Sequence, residues 1–382
     1  MALWFSATAA IPELIAEWQL DSAGAAWLTM SVQIGFVAGT FLSAFFNLPD
    51  VYKARYLFAV SALAGALFNS AVPLFSEGLG SALVFRFMTG MSLAGVYPPG
   101  MKLMAMWFRK GRGMAIGMLV GALTVGSALP HLFRIIGAPG WRQLMHMSSA
   151  ASICAGLICV FFVREGPYLG KSAPFNWRFT VGIMKNRNVR LANFGYLGHM
   201  WELYAVWTWI PLFLRESFTV SGLENVELWS AITAFSVIAV GGAGSIAAGF
   251  AADRIGRPVV TIWSLVISGL CCVVAGLFFG GSPAALTALC LVWGFAVVAD
   301  SAQFSAAVTE LTDPDYAGTA LTLQTCMGFL ITMVSIRFIP AAVELLTWRW
   351  AFMVLAVGPI FGIVSMYRLK SLAGAGEIRG TT

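Results

Sequence analysis

His199 and Glu202 stand three residues apart inside a long apolar run, where an ionisable side chain must have a purpose or a partner. On a helix this spacing places both on one face. A carboxylate in a low-dielectric setting is costly to ionise, so it can take up and release a proton near neutral pH, and an adjacent imidazole can share that proton. At 100° per residue Tyr196 and Trp209 join the same side, while Trp201 and Tyr204 point elsewhere. The competing reading is a fixed hydrogen-bonded pair between helices. His-x-x-Glu spacing can also ligate zinc, but the chain holds only three histidines, and His131 and His146 fall in other runs, so no metal is expected. A second carboxylate, Asp300, shares a helical face with Trp293, Gln303 and Phe304 and again demands a partner or a cavity. Arg86 is the buried cation of the set. Tyr97, eleven residues on, projects within about 20° of it on an unbroken helix, whereas Pro98 and Pro99 bend the chain before Lys102. Lys102 either faces the same path or snorkels to water.

The elements that must position these groups are membrane helices. Of 382 residues, 59% are hydrophobic and 10% charged, against about 25% charged in soluble domains. Apolar runs cover 1–18, 24–46, 56–76, 79–107, 113–135 and 142–163, then 190–214, 228–252, 258–280, 283–309, 317–344 and 348–369. All but the first are long enough to cross ~30 Å of hydrocarbon. Only about eleven residues precede Glu13, so the first run reads as a shortened helix whose true start lies upstream. The six cysteines, Cys154, Cys159, Cys271, Cys272, Cys290 and Cys326, lie in apolar runs and read as buried, reduced packing residues.

The net charge of +6 sits in turns and does not suggest nucleic acid. Lys53, Arg55, Arg109, Lys110, Arg112, Arg254 and Arg257 share one side with a basic connector carrying Arg164, Lys171, Arg178, Lys185, Arg187 and Arg190. The opposite side holds Glu17, Asp21, Glu77, Glu224 and Glu227 with few bases, which places connector and C-terminus in the cytoplasm of an inner-membrane, multi-pass protein. The division expected is 1–163, connector 164–189, 190–370 and a tail at 371–382. The halves repeat: aligning Gly113 with Gly318 brings Arg134 near Arg337 and Trp141-Arg142 near Trp348-Arg349. Arg134 and Arg337 lie near outer helix ends, where both could snorkel.

The segment Gly249-x-x-x-Asp253-Arg254-x-Gly256-Arg257 resembles the G-x-x-x-D-R-x-G-R turn of the major facilitator superfamily, and the likeness covers essentially the whole chain. It implies an all-α fold of two pseudo-symmetric six-helix bundles, with this turn helping to hold the cytoplasmic face shut. Its counterpart around Asp50 is degenerate, with Val51 in place of an arginine. Arg86-x-x-x-Gly90 is similar to the family's R-x-x-x-G motif, which implies a role in proton coupling or in attracting a substrate anion; a structural arginine bonded to backbone carbonyls is the rival reading. Gly113, Gly117, Gly121 and Gly126 allow close helix contact, but the glycine-proline signature of the family's drug antiporters is missing there. Resemblance to nitrate-type porters is incomplete, because 24–46 and 228–252 contain no arginine.

The expected function is secondary active transport by alternating access, monomeric and driven by protons, with Glu202, Asp300 and His199 on the proton path. Arg86 and Lys102 would attract a small organic or inorganic anion. Efflux of apolar drugs or metabolites is the alternative and would tolerate loss of Arg86; a transport-inactive sensor is a further one. No H-E-x-x-H, G-x-S-x-G or phosphate-cradling loop occurs, so neither an enzyme nor a bound cofactor is expected.

Overall fold

The computed structural model describes residues 1–108, 112–136, 140–168, 185–313 and 316–374. Most of the connector, Arg109, Lys110 and the end of the tail fall outside these residues, as does the side chain of Asp50. The described residues are helices and turns, with no strand among them.

Helices α1 (Ala2–Ala9) and α2 (Ile11–Trp18) divide the first apolar run at Ala10, just before Pro12. They are followed by α3 (Ser22–Phe45), the short α4 (Leu48–Val51), α5 (Ala54–Phe75), α6 (Leu79–Leu93), α7 (Tyr97–Trp107), α8 (Arg112–Ile135) and α9 (Trp141–Phe162). The second half contains α10 (Arg187–Val220), α11 (Val226–Ile255), α12 (Arg257–Val274), α13 (Pro283–Ala299), α14 (Ser301–Leu311), α15 (Ala317–Ala351) and α16 (Val357–Gly374). Among the described residues nine helical stretches are long and apolar enough to cross a membrane. One of them, Ala317–Leu372, contains a kink at Thr347 (φ 61°) and so makes two passes. The 34-residue α10 is not among the nine, because it carries the polar cluster.

Two continuous spans of the sequence reading are broken. The helix over 79–107 ends at Leu93 and restarts at Tyr97 under Pro98 and Pro99, so the projection of Tyr97 onto the face of Arg86 does not hold. The helix over 283–309 breaks at Asp300, which ends α13 and precedes α14.

The repeat is visible in the packing. An added Cβ at Gly39 would meet the Met91 carbonyl, and one at Gly90 the Val32 carbonyl, so α3 and α6 touch backbone to backbone. In the second half Gly244 faces the Phe295 carbonyl and Gly294 the Val237 carbonyl, which joins α11 to α13 in the same way. The register that pairs Gly113 with Gly318 carries one set onto the other within a residue. The halves meet along two seams. Gly117 and Gly121 of α8 lie against Ser245 and Gly242 of α11, and Phe36 of α3 packs on Phe329 of α15 with ring centroids 4.7 Å apart.

Gly90→Val and Gly294→Val drive a branched side chain into a carbonyl, a cost of ~1–3 kcal/mol by the usual overpacking range. Both variants are expected to melt below the wild type in detergent; a wild-type melting curve for either would remove the close-contact argument.

Candidate functional site

His199 and Glu202 of α10 are fully enclosed, and they form two sites rather than one. Glu202 accepts hydrogen bonds from Trp293 Nε1 (2.6 Å), Ser268 Oγ (2.9 Å) and Cys272 Sγ (3.2 Å), drawn from α13 and α12. His199 instead places Nδ1 2.9 Å from Asp300 Oδ1 and Nε2 3.0 Å from Ser301 Oγ. The break between α13 and α14 is what turns Asp300 toward the imidazole. Both members of that pair are 1% exposed. Phe304 and Tyr196 pack around the ring, at centroid distances of 5.6 and 6.1 Å. Three residues beyond Asp300, Gln303 Oε1 accepts from Arg257 Nη1 at 2.7 Å, and Arg257 also grips Glu310 (2.6 Å). Trp209, placed on the same helical face by periodicity, lies farther along α10 and donates to the Ile336 carbonyl.

Arg86 has no carboxylate beside it among the described residues. Its guanidinium donates to the carbonyls of Leu3 (2.7 Å), Trp4 (2.5 Å) and Leu28 (3.3 Å), and to Asn69 Oδ1 (3.1 Å) and Ser6 Oγ (3.3 Å). It is fully buried and ties α1, α3 and α5 to α6.

Between the halves lies a cavity of about 530 Å³. Its lining includes Asn47, Pro49, Phe108, Arg257, Glu310 and Gly318, all at helix ends on the basic face, so it opens there. Tyr97 and Lys102 line it as well; Lys102 Nζ donates to the Pro49 carbonyl at 2.6 Å. Of the gate-motif residues, Arg257 faces this cavity, Gly256 adopts φ 88° at the turn, and Asp253 and Arg254 are exposed with no ion pair among the described residues. Gly249 is buried within α11.

Toward the opposite face an aromatic plug holds the halves together. Trp4 and Phe36 from the first half pack on Tyr204 and Phe329 from the second, with centroid distances between 4.7 and 5.6 Å. Around it are buried polar atoms with no hydrogen-bond partner: Trp4 Nε1, both amide atoms of Gln33, both of Gln324, and Thr40 Oγ1. Leaving such a group unsatisfied costs about 1–3 kcal/mol.

Beyond the plug, the face opposite the basic one is clasped by charge. Arg134 meets Glu13 at 3.0 Å within its own half and reaches Glu227 of the other at 4.0 Å, and Glu227 takes Arg215 Nε at 2.6 Å. Arg134 therefore bridges rather than snorkels, whereas Arg337 is exposed. The cysteines are all free, but Cys154 is exposed and Cys326 only partly covered, which corrects the expectation that all six are buried.

The model of the Major Facilitator Superfamily matches residues 1–242 and again 192–380. The chain belongs to that superfamily. It is a multi-pass membrane protein with the superfamily's all-α fold. A putative tartrate transporter from Agrobacterium vitis is 22% identical over 269 residues, covering 57% of this chain and 57% of that protein. Agnestins efflux protein AgnL12 from Paecilomyces divaricatus is 26% identical over 310 residues, covering 78% of this chain and 65% of its own length. The chain thus spans less than two thirds of either superfamily relative. The crystal structure of a point mutant of the nucleoside transporter NupG superposes with a TM-score of 0.72 at 15% identity, covering 97% of this chain and 96% of that one, which speaks for the fold alone.

Sequence reasoning brought out His199, Glu202 and Asp300 but missed Thr40 in the cavity wall and Tyr204 in the plug. A threonine in an apolar run carries no charge to draw notice, and Tyr204 was turned away from the path by periodicity. Arg134→Ala removes the described ionic link between the halves on the outer face. It is expected to raise the reactivity of a cysteine placed at Thr208 toward an impermeant maleimide severalfold; unchanged labelling would count against the clasp.

Proposed function

We propose that this protein is a proton-coupled secondary transporter of a small organic anion, working by alternating access, and not an enzyme. The observation that carries this reading is the cavity between the halves, lined by Arg257, which donates to Gln303 one helical turn from the enclosed His199–Asp300 pair. Lys102 and Arg257, set against Glu310, leave the lining net positive, and an A. vitis relative named for tartrate transport is in keeping with an anionic solute. Arg86 does not line the cavity, so attraction of the anion is assigned to Lys102 and Arg257.

Asp300 with His199 carries the coupling proton. Glu202, held by three donors, belongs to the same buried interior and supports the path by fixing α10 against α12 and α13. The basic face is cytoplasmic, by its excess of lysine and arginine. The protein acts as a monomer in the inner membrane, with solute, protons and lipid as its partners.

A second reading, efflux of apolar metabolites, draws on Met101, Met104, Phe108, Ile116 and Leu321 in the cavity wall and on the AgnL12 likeness. Loss of Arg86 no longer separates the two readings; Lys102→Met does, since it should weaken anion transport at least tenfold and leave export of a lipophilic solute intact.

Proteoliposomes with an imposed proton gradient provide the main test. The wild type should accumulate a small organic anion such as L-tartrate, and a protonophore should abolish the accumulation. Asp300→Asn should lose gradient-driven accumulation by more than tenfold while retaining anion-for-anion exchange. Accumulation by this variant at the wild-type level would sink the coupling assignment.

A further inference from the structure

Arg134 and Arg215 come from different halves, yet both line one small pocket at the face opposite the basic one. The pocket holds about 30 Å³. A single water takes up ~10–15 Å³ of such space, so two oxygen-sized groups fit. Glu227 lines the same wall and is what the two guanidiniums share. Arg215 Nε donates to one of its oxygens at 2.6 Å, and Arg134 Nη2 stands 4.0 Å from the other. The Glu227 side chain is 58% exposed, against 19% for Arg134 and 38% for Arg215, so it is the member best placed to turn into water. Two more carboxylates touch the arginines without lining the pocket: Glu13 meets Arg134 at 3.0 Å, and Glu216 stands 4.0 Å from Arg215. His131, one turn before Arg134 on α8, lines the pocket too; it is 1% exposed and its Nε2 has no hydrogen-bond partner.

We propose that this pocket is a carboxylate-binding site, occupied in the present state by the side chain of Glu227 and taken over by a carboxylate of the solute when it arrives at that face. The assignment rests on the anion-transport reading for the arriving molecule, and adds a site separate from the large cavity on the basic face. The guanidinium fork matches a planar two-oxygen group, and both arginines already hold carboxylates. Exchanging one carboxylate for another keeps the charge balance among Arg134, Arg215, Glu13 and Glu216 as it stands, so no extra charge enters a partly buried place. His131, in its Nε2–H tautomer, has a donor to give that Glu227 does not use. Release of Glu227 also ends its reach to Arg134, so arrival of the solute itself undoes the ionic link between the halves.

The test melts the full chain in detergent with acetate, L-tartrate or chloride, in a Lys102→Met background that weakens anion binding in the large cavity. A ligand that binds the folded state raises the melting temperature. Acetate and L-tartrate should each raise it by several degrees, and chloride at equal ionic strength by far less. Glu227→Gln removes the internal competitor and should lower the half-maximal L-tartrate concentration at least threefold. Arg215→Gln removes a host cation and should raise it at least tenfold. Both variants lose the same Arg215–Glu227 bond, so a purely structural role would move them in one direction. His131→Phe should raise the half-maximal concentration severalfold, and an unchanged value would take the imidazole out of the site. No response to either carboxylate, shifts of one sign in Glu227→Gln and Arg215→Gln, or a chloride response equal to that of acetate would overturn the site. Transport measurements keep the two readings apart. Accumulation of L-tartrate by the wild type without the opposed shifts removes the site alone, whereas opposed shifts in a protein that moves no anion remove the transport reading and leave the pocket as a carboxylate site.

Discussion

Hydrocarbon offers a guanidinium no hydrogen bonds, so Arg86 takes five from the protein around it: the carbonyls of Leu3, Trp4 and Leu28, and the side chains of Ser6 and Asn69. Because these acceptors belong to α1, α3 and α5, the arginine on α6 fixes where three other helices run. The placement of α1 is the most consequential. It carries Trp4 and Phe5, whose rings reach across to Tyr204 and Trp207 on α10. Through α1, a single buried cation in the first half sets the position of the plug that both halves share.

The second half handles its buried charges by pairing. His199 answers Asp300, and Glu202 is met by three donors from two helices. The halves share their backbone crossings and not their chemistry. Equivalent glycines bring α3 onto α6 and α11 onto α13, but the interior of one half is organised by a cation bonded to neutral acceptors and that of the other by carboxylates. Arg257 joins the two levels of the second half, since one guanidinium holds both Glu310 at the cavity rim and Gln303 one turn from Asp300.

How much of this was legible in the sequence depended on charge. Arg86, His199, Glu202 and Asp300 stood out because ionisable residues are so costly in apolar runs, and the G-x-x-x-D-R-x-G-R turn and internal register led to the fold. The partners were not legible. Periodicity put His199 and Glu202 on one face, as their spacing requires, but not that the break at Asp300 would hand the imidazole to another helix. It failed at Tyr97 for the same reason, since proline ended the helix on which the projection relied. The plug depends on contacts between halves more than a hundred residues apart in sequence. No local pattern encodes Phe36 against Phe329.

The crossing of α8 over α11 has a mechanical meaning. At Gly117, Gly121 and Gly242 the two halves touch with almost no side chains between them. Interlocked rotamers resist sliding because each must climb out of its hole before the helices can shift. A smooth backbone contact has no such teeth and behaves as a bearing. Resistance to any tilt of one half on the other would therefore fall to the second seam, in the Phe36–Phe329 stack, and to the Arg134–Glu227 pair.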